Sequence, residues 1–129
     1  MVMEINDYQT QTARTNAVLE KQVYDGEGQC EKLSENIHMT LGMVTETAEL
    51  ADVFKKHLAY GKEIDWVNIK EELGDLMWYV ANMCNINGWD LRDIMQTNIN
   101  KLQLRYPEKF TTDKAINRDL NAERSELEK

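Results

Sequence analysis

Two stretches decide the fold of this chain: SENIHMTLGMVTETAELADVFKKHLAY, residues 34–60, and WVNIKEELGDLMWYVANMCNIN, residues 66–87. Both carry apolar residues at helical spacing and contain no proline. Ser34 and Asp65 are good N-cap residues, and Gly61 is a typical helix stop. Because the connection between the two helices is short, we expect them to pack as an antiparallel hairpin.

The rest of the chain extends this hairpin into a small helical bundle. Its 129 residues suit one domain, 1–129, and glycine and proline are scarce. We therefore predict an all-α, four-to-five-helix bundle. Its other elements are a first helix over 6–24 with a loop at 25–28, a fourth helix from Asp90 to Pro107, and a polar C-terminal tail, 111–129, that forms a short helix or is mobile.

Composition restricts the classes of function. A net charge of -8 disfavours a surface that follows the phosphates of a polymeric nucleic acid. Cys30 and Cys84 do not form a metal-binding pair, and the N-terminus resembles no targeting segment. No apolar run is long enough for a membrane span. The sequence thus predicts a cytoplasmic protein with no membrane partner.

The hairpin carries two acidic pairs, Glu46 with Glu49 and Glu72 with Asp75. Residues three apart lie on one face of a helix. The pairs are symmetric about the loop, so Glu46 should face Asp75, and Glu49 should face Glu72. A single acidic pair is usually part of a solvated face, but apolar residues flank both of these pairs. We therefore predict that four carboxylates converge.

Such a cluster needs a positive charge, because burying unpaired carboxylates costs several kcal/mol. Lys55, Lys56 and Lys62 lie nearer the loop and on other arcs of the helices, so a bound divalent cation is the better compensator. Carboxylates without His or Cys suit Mg2+, and Mn2+ should substitute. Such ions also bind phosphate oxygens and activate water, which predicts hydrolysis of a phosphate-bearing substrate.

Candidate ligands for a nucleotide lie outside the acidic pairs. Asn98, Lys101 and Arg105 share one stripe of the fourth helix, where the two cations could bind phosphates. Cations near a helix C-terminus are also favourable for the helix dipole alone. Tyr79 and Asn82 lie one or two turns beyond the second acidic pair, so they are candidates for contact with the base or sugar. The other aromatic residues are expected in the core.

The order of these motifs resembles the MazG-type nucleotide pyrophosphohydrolases of the all-α NTP pyrophosphatase superfamily. The match consists of E-x-x-E at 46–49, E-x-x-D at 72–75 and K-x-x-x-R-Y-P at 101–107, and it covers residues 34–110. The resemblance implies that the four acids are catalytic metal ligands. It also implies hydrolysis of a nucleoside triphosphate, often a deoxynucleotide, to the monophosphate and pyrophosphate.

The resemblance further implies a homodimer or homotetramer whose active sites are completed across subunits. This agrees with the two apolar faces of each hairpin helix. Two alternatives stay open: a non-catalytic helical module that binds a nucleotide or a protein, and a di-iron bundle. The second would need Glu-x-x-His on two helices, and only Glu35 and His38 provide that motif. The base accepted and the number of metal ions also stay open.

Overall fold

The structure, a computed structural model, describes residues 2–21 and 30–129, and in this part of the chain it contains helices and no strand. The all-α prediction is therefore confirmed. In these residues no helix is both long and apolar enough to cross a membrane. The helices are α1 (Ile5–Ala13), α2 (Cys30–Tyr60), α3 (Trp66–Asn87), α4 (Leu91–Arg105), α5 (Thr112–Ile116) and α6 (Leu120–Leu127).

The chain divides into two compact units between Trp89 and Asp90. The first unit contains α1, α2 and α3, and the second contains α4, α5 and α6. Each unit is described separately below. The organisation of residues 1–129 as a single domain stays a prediction.

Helices α2 and α3 form the predicted antiparallel hairpin, and its ends are where the sequence places them. Asp65 Oδ1 accepts hydrogen bonds from the backbone N–H groups of Val67 and Asn68, both at 3.1 Å. This satisfies two of the donors that a helix N-terminus leaves free. Gly61 has a φ of 66° and donates its N–H to the carbonyl of His57, so it ends α2 in the left-handed conformation that glycine adopts without strain.

Two contacts between α2 and α3 fix their register. At the end far from the loop, the side-chain amides of Asn36 and Asn87 exchange two hydrogen bonds, at 3.2 and 2.6 Å. Nearer the middle, the ring of Tyr79 lies against the backbone of Gly42. A Cβ at Gly42 would lie 2.1 Å from Tyr79 Cε1, so only glycine allows this approach. These contacts place the two acidic pairs at matching heights.

Two predicted helix bounds in the first unit are wrong. Helix α2 begins at Cys30 rather than Ser34, which is buried inside the helix. Residues 30–33 include Glu, Lys and Leu, which are good helix formers, so nothing in them requires the helix to begin later.

Helix α1 ends at Ala13 rather than at residue 24, and residues 16–21 are not helical. The hydroxyls of Thr12 and Thr15 donate to nearby backbone carbonyls at the end of this helix. Such side-chain bonds compete with helix continuation. The predicted loop at 25–28 lies outside the described residues.

A polar network joins α1 to α3. Asn82 is fully buried, and its side-chain amide donates to the carbonyl of Thr12 at 3.2 Å. The Asn85 amide donates to the carbonyl of Gln9 and to the Oδ1 atom of Asn82. These bonds satisfy groups that would be costly to bury alone, and they hold the end of α1 beside α3.

In the second unit, α4 packs against α6. The Asp90 side chain caps α4 by accepting from the Arg92 N–H at 2.8 Å, and the helix ends at Arg105, before Pro107, as predicted. For the segment after residue 110, the structure selects helix over a mobile tail. Glu123 of α6 is only 4% exposed.

Candidate metal centre

Three of the four predicted acids come together where α2 and α3 face each other. One carboxylate oxygen from each of Glu46, Glu72 and Asp75 lies within 4.8 Å of the others. Glu72 is only 6% exposed, Glu46 is half-buried and Asp75 is exposed. The cluster therefore opens to solvent on the side of Asp75. A hard divalent cation that keeps part of its water shell suits such a site.

The repulsion among the acids of the cluster agrees with a site that binds a positively charged ion. The pKa of Glu46 is raised above its ordinary value, first by burial, then by a hydrogen bond with Glu72 and by the charges of the nearby acids. A divalent cation among these oxygens would offset the repulsion between the carboxylates, so the donor set fits a bound metal.

An amide supports the most buried carboxylate. Asn68 Nδ2 donates to Glu72 Oε1 at 2.7 Å. This bond orients the carboxylate and leaves its second oxygen for another partner. Residues that hydrogen-bond to metal ligands commonly orient them in this way. Asn68 is not among the predicted site residues. Its signal was the spacing of four residues before Glu72, which places both side chains on one face of the helix.

Glu49 does not join the other three acids in this cluster. Its side chain is exposed, at the loop end of the acidic pair on α2. The Asn68 bond holds Glu72 in place, and no such bond to Glu49 is seen in the part of the chain that the structure describes. Glu49 and Glu72 both line one cavity near the hairpin loop, and the predicted pairing of these two acids stays a prediction.

Residues of the acidic cluster line two cavities. The first, which we call the loop cleft, has a volume of about 550 Å³ and contains Glu72. The second, the aromatic cavity, has a volume of about 270 Å³ and contains Glu46 and Asp75. The loop cleft is lined by Glu49, Asp52, Val53, Lys56, Lys62, Glu63, Asp65, Asn68 and Glu72. The aromatic cavity is lined by Thr15, Glu46, Asp75, Trp78 and Tyr79.

The aromatic cavity contains one of the predicted nucleotide contacts. Tyr79 and Trp78 meet edge to face, with ring centroids 4.9 Å apart. The pKa of the Tyr79 hydroxyl is raised by burial and by the charges of Glu46 and Asp75. Trp78 Nε1 donates to Thr15 Oγ1 at 2.8 Å, so the rim of this cavity is fixed by the residues that follow α1. Trp78 was expected in the core, and Thr15 is not among the predicted site residues.

Asn82, the other predicted base or sugar contact, lies elsewhere. It is fully buried, and its amide is bonded to the carbonyl of Thr12 and to Asn85. A ligand would have to displace these bonds to reach it. The structure thus gives Asn82 a role in packing α1 on α3.

The predicted phosphate ligands lie on α4, in the second unit. Asn98 is exposed and Lys101 is half-buried. Arg105 is paired within its own unit: its Nε and Nη2 atoms donate to the two carboxylate oxygens of Glu123, each at 2.7 Å. Arg118 donates to the same carboxylate, at 3.3 and 2.5 Å. A phosphate would compete with Glu123 for the Arg105 guanidinium.

Comparisons with known proteins agree with the chemistry of the cluster. The family model of the MazG nucleotide pyrophosphohydrolase domain matches residues 34–110, which include α3, α4 and the part of α2 that carries its acidic pair. The Gene 37 protein of Mycobacterium phage L5 is 37% identical over 91 residues, covering 64% of this chain and 76% of the phage protein. No solved structure gives a significant match. The chain therefore belongs to the MazG nucleotide pyrophosphohydrolase family.

Proposed function

We propose that this enzyme hydrolyses a nucleoside triphosphate, preferably a deoxynucleotide, to the monophosphate and pyrophosphate with Mg2+, for which Mn2+ can substitute. The observation that carries the proposal is the convergence of Glu46, Glu72 and Asp75 in a member of this family. Carboxylates within 4.8 Å of one another suit the binding of a metal that also binds phosphate.

Each acid has a role that follows from its surroundings. Glu72, held by Asn68, is the fixed ligand, and Glu46 is a second ligand from the facing helix. Asp75 faces solvent, where a substrate can approach. Glu49 is a further ligand, because it shares the loop cleft with Glu72 and its charge acts on Glu46. When bound, a divalent ion neutralises phosphate charge and lowers the pKa of a coordinated water.

The aromatic cavity supports a place for the nucleoside. The rings of Trp78 and Tyr79 offer an apolar surface next to Glu46 and Asp75, and stacking on aromatic rings accepts any base. We assign Tyr79 to the base or sugar. Asn98, Lys101 and Arg105 on α4 stay proposed phosphate ligands from their motif.

An exposed apolar stripe on α2 supports the proposal of a homodimer or homotetramer. In the described chain, Leu41 is 59% exposed and Val44 is 60% exposed. On α3, Leu73 and Met77 are also more than one-third exposed. Large apolar side chains at helical spacing are characteristic of a surface that a second helix covers. A second copy of the chain would bury them.

The test of the proposed function is incubation with the eight common ribonucleoside and deoxyribonucleoside triphosphates and Mg2+, with detection of pyrophosphate and of the monophosphate. Both products in equal amounts from at least one nucleotide would support the proposal. Release of inorganic phosphate with a diphosphate would place the cleavage at the other bond. No product from any nucleotide would favour a helical module that only binds nucleotides or a protein.

A further inference from the structure

Residues of the acidic cluster line two cavities, one with aromatic rings and one with lysines among its other residues, and this difference gives the site a direction. Glu46 and Asp75 belong to the aromatic cavity, which has two rings and no cationic side chain among its lining residues. Glu72 belongs to the loop cleft, which is lined by Lys56 and Lys62. A nucleotide is also asymmetric, with a flat apolar base at one end and phosphates at the other.

Two of the five acids that line the loop cleft, Asp52 and Asp65, already have a partner. Asp52 accepts from Lys55 at 2.8 Å and from Lys56 at 2.5 Å, so this group of three carries a net positive charge. Asp65 is occupied as the N-cap of α3. Glu49 and Glu72 face the proposed metal. What remains are two exposed side chains of opposite sign at adjacent positions in the loop, Lys62 and Glu63.

The backbone holds Lys62 at the edge of the cleft. Its carbonyl accepts from His57 Nδ1 at 2.7 Å, and its N–H donates to the carbonyl of Lys56 at 3.4 Å. The preceding residue, Gly61, makes the turn possible with its positive φ. The side chain of Lys62 therefore extends from a fixed point and can reach an anion in the cleft. Lys56 adds a second, less available positive charge, because Asp52 already binds it.

We propose that the loop cleft is the subsite for the distal phosphates of the substrate, with Lys62 as their main cationic contact. The substrate then lies along the hairpin with its nucleoside toward Trp78 and Tyr79 and its polyphosphate toward the loop. This inference rests on the proposed function and extends it by assigning a direction to the substrate. It also gives a role to Lys62, whose side chain is exposed in the loop after α2.

The test uses inorganic pyrophosphate with Mg2+, because this probe needs no knowledge of the base. Binding to the full-length protein is measured by calorimetry for the wild type, Lys62→Met, Glu63→Gln and the control Lys70→Met. Lys70 is exposed on α3 and does not line the cleft, so its replacement makes the same change in net charge. One contact between an exposed cation and a phosphate predicts about a fivefold loss of affinity for Lys62→Met.

Glu63→Gln removes a repulsive charge from the same cleft and should strengthen pyrophosphate binding about two- to threefold. Lys70→Met should bind like the wild type. Lys62→Met should also leave unchanged the affinity for the monophosphate of the nucleotide that the enzyme hydrolyses. Unchanged pyrophosphate affinity in Lys62→Met, or an equal loss for the monophosphate, would overturn the subsite while wild-type hydrolysis still stood. A wild type that hydrolyses no triphosphate would instead refute the proposed function.

Discussion

Replacing Asp75 with asparagine should change the stability of the protein in opposite directions without and with metal. In the metal-free protein, Asp75 places a negative charge within 4.8 Å of oxygens of Glu46 and Glu72. Asparagine has nearly the same shape and no charge. Asp75→Asn should therefore stabilise the protein in EDTA and reduce the stabilisation that Mg2+ provides.

The distance sets the size of the effect. Two unit charges 4.8 Å apart repel by about 0.9 kcal/mol in water and by about 3.5 kcal/mol at an effective dielectric constant of 20. Asp75 is exposed, so the lower value applies to each pair. Solvent and salt screen charges at an exposed position, so the two pairs together contribute less than their sum. We expect a gain of about 1 kcal/mol in the free energy of unfolding, or about 3–5 °C in Tm.

Magnesium should reverse this order. If the wild type binds Mg2+ with a Kd of about 1 mM, then about 10 mM Mg2+ stabilises it by about 1.4 kcal/mol. Asp75→Asn lacks one ligand and should gain much less. The wild type should thus be the less stable protein in EDTA and at least as stable as the variant in Mg2+.

Thermal unfolding followed by circular dichroism, in EDTA and across a Mg2+ titration, measures both effects. The matched control is Glu71→Gln, which removes one negative charge from an exposed position on the same helix, outside the cluster. It should respond to Mg2+ like the wild type. A metal-free Asp75→Asn protein that is less stable than the wild type, or that gains as much from Mg2+, would refute this account of the cluster.

Three further predictions concern packing, pH and phosphate binding. Gly42→Ala should destabilise the protein by about 1–2 kcal/mol in denaturant unfolding, because the clash of the new Cβ with Tyr79 outweighs the better helix propensity of alanine. Gly74→Ala, with nothing within 4 Å of its Cβ, should instead stabilise the protein by up to about 1 kcal/mol. The pKa of Glu123 is lowered by its bonds to two arginines, so the stabilisation that its charge provides is present above about pH 4.5 and is lost as the pH falls below that value. The difference in Tm between the wild type and Glu123→Gln should therefore shrink as the pH is lowered below about 4.5, and a constant difference would contradict this. Lys101→Ala should raise the KM for the triphosphate with little change in Mg2+ affinity, and a normal KM and kcat would remove the proposed role of α4 in phosphate binding.

The hairpin could be predicted from the sequence because its signals are local. Asp65 caps the helix that follows it, and Gly61 ends the one before it, through bonds to residues only two to four positions away. Helical periodicity then places Glu46 opposite Asp75 without any knowledge of the rest of the chain. Where a signal was local but ambiguous, as at Ser34, the prediction was wrong. A serine can begin a helix or lie inside one, and burial decides between the two.

Other features depend on contacts that the sequence does not encode locally. Arg105 and Glu123 are far apart in sequence, so nothing in the K-x-x-x-R-Y-P motif indicates that the guanidinium is already paired. Asn82 has the spacing of a site residue, yet the end of α1 covers it. The position of Glu49 outside the cluster depends on side-chain distances of a few ångströms, which helical spacing does not fix.

The most direct test of the central claim compares two neighbouring glutamates on α3. Glu72 is buried in the cluster and bonded to Asn68, whereas Glu71 is exposed and lies outside the cluster. The measurement is the rate of pyrophosphate release from the accepted nucleotide by Glu72→Gln and Glu71→Gln at saturating Mg2+. We predict a loss of at least about 100-fold for Glu72→Gln and a change of less than about twofold for Glu71→Gln. Equal rates for the two variants would contradict the assignment of the cluster as the catalytic metal centre.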